Sequence, residues 1–286
     1  MDVYSIVTEK IIAELEKGII PWQKPWTGVR EGAISHVTGR PYSLLNQMLL
    51  GKPGEWLTYK QAEQRGGKVK PGAKSSIVVF WKWLEKEEEK NGKKIKKSIP
   101  YLRYYNVFHI SQCEGIEERF PEKKLEHTDP IAEAESVLAG YVKRSGVKFI
   151  AEKSNRAYYY PMMDEIHVPI LDQFEQPEEY YSTAFHESAH STGHKDRLDR
   201  LDMTAHFGSE EYSKEELVAE ISAATLCHAV GIESEKSFKN SASYIGNWLK
   251  ALKDDRRLIV TAAGKAEKAV KMILGEDTTT ETKEEE

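Results

Sequence analysis

The stretch AFHESAHSTGHKD, Ala184 to Asp196, contains the spacing His-Glu-x-x-His at His186, Glu187 and His190. On a helix, residues four apart share a face, so the two imidazoles can point at one cation. Zinc suits such a pair, since it accepts neutral imidazole nitrogen at about 2.0 Å and keeps a fourth position for water when three protein ligands bind. Manganese is the alternative cation. Glu187, one residue past the first His, is the expected general base for that water. Chance places this spacing in roughly one chain in a hundred of this length. The competing reading is an exposed polar helix face. Context favours the metal, because the motif falls mid-helix after strand-like sequence, and Ala184, Ser188 and Ala189 are small enough for close packing.

A third ligand is required, and EELVAE, residues 215–220, offers Glu216 and Glu220 on one helical face. One can bind the cation while the other hydrogen-bonds a ligating His. This arrangement looks like that of gluzincin metallopeptidases, and the resemblance implies Glu216 as ligand with Glu220 in support. Ser213 to Glu216 also fits a helix capping box, which would leave Glu220 as the ligand. Asp196 competes as well: with Gly193 it occupies the place of a metzincin third ligand and turn glycine. His194, four past His190, is a further competitor, although three His in a row on a straight helix suit tetrahedral capture poorly. An oxyanion donor is expected too. Tyr244 in SASYIGNWLKAL, Tyr180, Tyr181 and His194 all qualify, against the alternative that helix tyrosines simply pack. The segment DEIHVP, residues 164–169, reads as an edge strand able to add an extended peptide, with His167 structural.

Working outward, PEEYY at 177–181 opens the motif helix, which is expected to run to Gly193. The segment at 147–169 suggests two or three strands, and a helix precedes it over Ile131–Ser145. Further helices are expected from near Ser213, over Ala242–Lys253 and over Ile259–Leu274. Residues 117–130 are charged, hold two prolines and lack an apolar period, so they read as a linker. Residues 276–286 read as a disordered acidic tail. The first half, 1–116, begins with a helix placing Val3, Ile6, Val7, Ile11, Ile12 and Leu15 at helical spacing before Gly18. GIIPWQKPWTG cannot continue it. PYSLLNQMLLG is a short helix, and a strand, a helical turn and a Gly-rich loop follow. SSIVVFWKWLE and KSIPYLRYYNVFHISQC are strand-like, joined through a charged tip with Asn91-Gly92 as the turn. The expected fold class is α+β in two domains, 1–116 and 131–275.

The net charge of −5 is unevenly spread. Residues 1–125 carry 22 Lys and Arg against 15 Asp and Glu, while residues 126–286 carry 19 against 31. A basic half joined to an acidic one suggests two tasks, with nucleic acid as partner for the first. Two cysteines are too few for a disulfide framework or a thiolate zinc site. No apolar run approaches the ~20 residues needed to span a bilayer, so no membrane partner is expected. The amphipathic N-terminus is a poor secretory signal, and the cytoplasm is the expected location.

Single-strand binders combine cations along the phosphates with aromatic faces for the bases. The basic half supplies Trp22, Lys24 and Trp26, then Lys68, Lys70 and Lys74 along the Gly-rich loop, then Trp81, Arg103 and Tyr105. The opposing reading is that alternating aromatics build a core and lysine runs keep a hairpin tip in water.

Taken together, the chain resembles the ArdC-type antirestriction proteins of mobile elements. IIAELEKGIIPWQKPW, TGRPYSLLNQMLL, WLTYKQAEQRGGKVKPGAKSSIVVFW and YYNVFHISQC carry the likeness in the first half. AYYYPMMDEIHVP, AFHESAHSTGHKDRLDR, YSKEELVAEISAATLC and SASYIGNWLKALKDDRRLIVTAAGKAEKA carry it in the second. The resemblance implies an N-terminal domain binding single-stranded DNA, a C-terminal zincin-like metallopeptidase domain and protection of incoming DNA from restriction. It favours Glu216 over Asp196 as third ligand. Two readings stand beside a peptidase acting on a host protein. One is a DNA-binding protective protein whose metal is structural; the other is a regulatory metallopeptidase that cleaves a repressor.

Overall fold

The computed structural model describes residues 2–23, 32–90, 93–120, 129–201, 210–232 and 241–277, with the side chains of 83–90, 93–100, 210 and 241–244 outside that description. Asn91-Gly92 and most of the expected linker and acidic tail therefore lie outside the described residues.

Helix α1 (Val3–Leu15) starts where the Asp2 carboxylate accepts from the Ser5 N–H, a side-chain N-cap. It buries Val7, Ile11, Ile12 and Leu15 and ends before Gly18, whose φ of 77° reverses the chain. Trp22 follows in a single 3-10 turn and is fully buried. Helix α2 (Leu44–Leu50) ends at Gly51 in the left-handed conformation. Strand β1 (Ala33–Ser35) lies parallel to β2 (Gly54–Thr58). Thr58 and Gln61 then form a capping box that starts α3 (Tyr59–Gln64). The long strands β4 (Ser76–Lys90) and β5 (Lys93–His109) pair antiparallel from Ser76↔Val107 to Lys90↔Lys93. The sheet order is β1-β2-β5-β4, and β3 (Lys68–Val69) pairs with β6 (Cys113–Glu114) beside it. Alternation sends Val79 and Leu102 towards α1, while Val78 and Val107 pack with Ala33, Leu50 and Trp56.

The second half opens with α4 (Pro130–Ser145), capped by Asp129. Strands β7 (Lys148–Glu152), β8 (Tyr158–Tyr160) and β9 (Glu165–Pro169) form a sheet of order β7-β9-β8, with β9 parallel to β7 and antiparallel to β8. Both sides of β9 are thus paired, and DEIHVP is not the edge expected from sequence; the three-residue β8 covers it. Helices α5 (Pro177–Ser191), α6 (Glu210–Ala229), α7 (Ser241–Asp254) and α8 (Leu258–Leu274) complete the chain. Ile166 and Val168 of β9 pack in one core with Ala184, Phe185 and Ala189 of α5 and Ala219 and Ala223 of α6.

The two halves share apolar interior. One core cluster joins Val7, Ile11 and Trp22 to Leu217 and Ile221 of α6, Trp248 and Leu252 of α7 and Ile259 of α8. Trp22 meets Trp248 edge to face, with ring centroids 5.1 Å apart. Polar ties cross the same contact: the Thr8 hydroxyl donates to the Arg256 carbonyl at 2.7 Å, and the Leu44 N–H donates to Glu267 at 3.1 Å. Among the described residues, no helix is long and apolar enough to cross a membrane.

Candidate metal centre

Helix α5 opens on Pro177, whose missing N–H is no loss in the first turn, and Glu178 and Glu179 there oppose the positive helix end. Its small residues join the alanines of α6 in the second core, so the two helices run close together. His186 and His190 project from α5 towards Glu216 of α6. Their Nε2 atoms lie 3.1 Å apart. His186 Nε2 is 3.5 Å from Glu216 Oε2, and His190 Nε2 is 3.4 Å from Glu216 Oε1. A tetrahedral cation bound at about 2.0–2.1 Å spaces its ligands by about 3.3 Å, close to the separation of the two Nε2 atoms and to the distance from each to its nearer Glu216 oxygen. Among the described residues this is the one grouping of His, Cys, Asp or Glu drawn together tightly enough to hold a metal ion.

The far ring nitrogens are also engaged. His190 Nδ1 donates to Glu215 Oε1 at 3.3 Å, and His186 Nδ1 faces Glu220 Oε2 at 3.5 Å. A proton held on Nδ1 leaves the Nε2 lone pair for a cation. Arg200 braces Glu215 through Nε at 3.2 and 3.0 Å and through Nη2 at 2.8 Å. The same guanidinium donates to the Ala189 carbonyl and, at 2.5 Å, to the Thr192 hydroxyl. Gly193 permits this fold-back, since a Cβ there would lie 2.8 Å from Leu201 Cγ and 3.0 Å from Arg200 Cγ. Arg197 secures the same loop to the sheet by donating to both Asp164 oxygens and to the Ser191 carbonyl at 2.7 Å.

Glu187, Glu215, Glu216 and Glu220 gather around two imidazoles and one guanidinium. Burial opposes charge on His190, yet its hydrogen bonds with Glu215 and Glu216 win and lift its pKa to about 9. His186 is likewise pushed well above its usual value by Glu216 and Glu220 despite burial. Burial works against the Glu216 carboxylate, but His186 and His190 hold it well below the ordinary carboxylate range. The acid-rich setting favours positive charge at its centre, and a divalent cation held there would supply it without protonating the imidazoles.

Of the residues singled out from sequence, His186, His190 and Glu216 meet at this point, with Glu220 behind His186. Glu187 is buried on the same helix. Asp196 is corrected: it is 74% exposed and pairs with His194 at 3.5 Å, away from the cluster. The capping-box objection to Glu216 also falls, because α6 begins at Glu210 and Ser213 is inside it. Tyr180 and Tyr181 are buried, and the Tyr181 hydroxyl donates to Glu135 at 3.0 Å. The Tyr244 side chain lies outside the described residues. Glu215 and Arg200 were not singled out; the only sequence signal was an acid adjoining the expected ligand and an arginine in the loop after the motif.

In the first half, Trp22 is corrected from a base-stacking residue to a core residue. Lys24 and Trp26 lie outside the described residues. Lys68, Lys70 and Lys74 are exposed. Lys68 pairs with Glu114 at 3.2 Å, and Lys70 donates to the Ser111 carbonyl at 2.9 Å. Trp81 is half-exposed, and Arg103 lies over the half-buried Tyr105 ring at 5.8 Å.

A helix bearing two His, a second helix supplying Glu and a mixed sheet packed against them define a zincin-like domain, here joined to an α+β domain. Family models agree with both parts. Residues 136–265 match a zincin-like metallopeptidase, and residues 1–108 match the N-terminal domain of anti-restriction factor ArdC. The crystal structure of the antirestriction ArdC protein from R388 plasmid, Mn(II)-bound, is 35% identical, covers 96% of this chain and 98% of that one, and superposes with a TM-score of 0.75. Its metal-free structure superposes with a TM-score of 0.74 at 36% identity, covering 96% and 97%. An uncharacterized protein, y4eC, of Sinorhizobium fredii (strain NBRC 101917 / NGR234) is 30% identical over 93% of this chain and 89% of its own. A DNA primase, TraC, of Escherichia coli is 35% identical over 94% of this chain, which spans only 26% of that protein. The chain belongs to the ArdC antirestriction family.

Proposed function

We propose that this chain protects incoming DNA, gripping single strands with its first domain and using the second as a metal-dependent peptidase on a host protein. The convergence of His186, His190 and Glu216 beside the buried Glu187 is the observation that carries the second part. The relatives lend support: one is an ArdC antirestriction protein with Mn(II), and another is a DNA primase. Zinc remains the cation we favour for two His and one carboxylate, with manganese the alternative.

His186, His190 and Glu216 would hold the cation. Bound there, it supplies Lewis acidity that polarises a peptide carbonyl and makes water a better acid. Glu187 takes the proton of the attacking water and returns it to the leaving amine. Glu215 and Glu220 keep each imidazole in the Nδ1–H tautomer.

Glu187→Gln tests this reading. It should keep the cation and lose peptide hydrolysis by about 10²–10⁴-fold. Loss of protection against restriction in the same variant would tie the two activities together. Full protection by Glu187→Gln would instead make the metal structural and the DNA grip the whole mechanism.

A further inference from the structure

The first domain has a surface cavity of about 240 Å³ whose lining includes Lys52, Gly54, Glu55, His109, Glu118 and Phe120. Its walls are held in place rather than left over from packing. His109 Nε2 donates to the Pro53 carbonyl at 3.0 Å, and its Nδ1 accepts from the Ser111 N–H at 3.1 Å. The ring stands edge-on to Trp56 at 5.1 Å. Only glycine fits beneath it, because a Cβ at Gly54 would lie 2.7 Å from His109 Nε2. Phe120 is fixed as firmly. Its N–H and that of Arg119 donate to Glu55 Oε1 at 2.5 and 2.7 Å, while Glu55 Oε2 bonds the buried His36. The Phe120 ring covers Gly39, where a Cβ would meet it at 2.8 Å, and the Arg119 guanidinium lies 5.1 Å from its centre.

Cations gather at the rim. Lys52 Nζ lies 3.3 Å from His109 Nδ1 and 3.4 Å from Ser111 Oγ, and Lys70 Nζ donates to the Ser111 carbonyl at 2.9 Å. Two ammonium groups thus converge on one exposed serine beside the His109 ring. The volume is below the ~300–1,000 Å³ of sites for drug-sized ligands, which suits one planar unit of a longer chain.

We propose that this cavity receives one nucleotide of a single-stranded DNA, its base against Phe120, with the buried His109 ring forming the floor, and its phosphate on Lys52 and Lys70. Glu118 at the rim repels a phosphate but can accept from a base N–H, such as the ring N–H of thymine. The assignment rests on the reading of the first domain as a single-strand binder and places that grip away from Trp22 and Trp81.

The test is fluorescence anisotropy of the full chain with a labelled thymidine 12-mer carrying a single 2-aminopurine, at several salt concentrations. Phe120→Leu keeps apolar bulk over Gly39 and removes the ring; it should weaken binding about tenfold and abolish stacking-dependent quenching of the 2-aminopurine. Lys52→Ala, at an exposed position tolerant of change, should lower the slope of log affinity against log salt by about 0.7. Lys148→Ala, on the second domain's sheet, should change neither. If the wild type binds and both first-domain variants match it in affinity and salt slope, the cavity assignment is wrong and the strand lies on another surface. If the wild type itself binds no single strand, the reading of the first domain fails and takes this inference with it.

Discussion

Arg200 holds both carboxylate oxygens of Glu215, and Glu215 in turn accepts from His190 Nδ1. The guanidinium is only 5% exposed and also grips the carbonyl of Ala189 at the end of α5. One side chain therefore couples the helix bearing the two His to the helix bearing Glu216. Arg200→Gln should loosen that spacing and lower cation affinity by about 10–100-fold, read by competition with a chromophoric chelator. Arg200→Lys should restore little of it, because an ammonium cannot make the forked contact. The d–d spectrum of the Co(II)-substituted variant should shift as the ligand geometry relaxes. Wild-type affinity and spectrum in Arg200→Gln would reduce this contact to packing.

The identity of the third ligand can be settled by two neutralising substitutions. Glu216→Gln should abolish tight cation binding, whereas Asp196→Asn should leave stoichiometry and affinity unchanged, as measured by elemental analysis after dialysis. The reason is position: Glu216 offers an oxygen to each Nε2, while Asp196 lies in solvent. Metal loss in Asp196→Asn with retention in Glu216→Gln would reverse the assignment.

The parts of this centre legible in sequence were those fixed by helical period. His186 and His190 share a face at i and i+4 wherever the helix goes, and so do Glu216 and Glu220. The brace of Glu215 by Arg200 depends on how the loop after α5 folds back, which no local period records. Trp22 was misread for a related reason: its partner Trp248 lies 226 positions later, and an aromatic between prolines looks exposed until that helix arrives. DEIHVP looked like an edge because β8, its cover, is three residues long and carries almost no strand signal. The Ser213 capping box was a local match overridden by a helix that starts three residues earlier.

His228 gives the fold a pH dependence in mildly acid solution. Burial, only partly offset by a hydrogen bond to the Gln23 backbone, drives its pKa down to about 4. The unfolded chain binds that proton near pH 6.5 and the folded chain does not. Its contribution is therefore complete above pH 6.5 and declines as pH falls towards 4, by roughly 3 kcal/mol at most. The prediction is that His228→Gln, which keeps a donor for the Gln23 carbonyl, loses less stability than the wild type between pH 7 and 4.5. Urea melts at the two pH values measure this, and parallel losses in both proteins would show that His228 is not the source.

The shared core predicts that the two domains do not fold separately. Val7, Ile11, Leu15 and Trp22 are all almost completely buried, and much of what buries them belongs to α6, α7 and α8. A fragment ending at residue 120 would turn that apolar face to water, and at ~25 cal/mol per Å² its loss rivals the whole stability of a domain this size. The fragment should show no cooperative thermal transition by circular dichroism, while the full chain melts in one step. Trp22→Ala in the full chain should cost about 3–5 kcal/mol, both through the cavity left and through the lost edge-to-face contact with Trp248. Trp248→Ala should cost about as much, and the double variant less than the sum, because the two rings bury one another. A fragment 1–120 that melts cooperatively, together with additive losses in the double variant, would show the domains to be independent and the Trp22–Trp248 contact incidental.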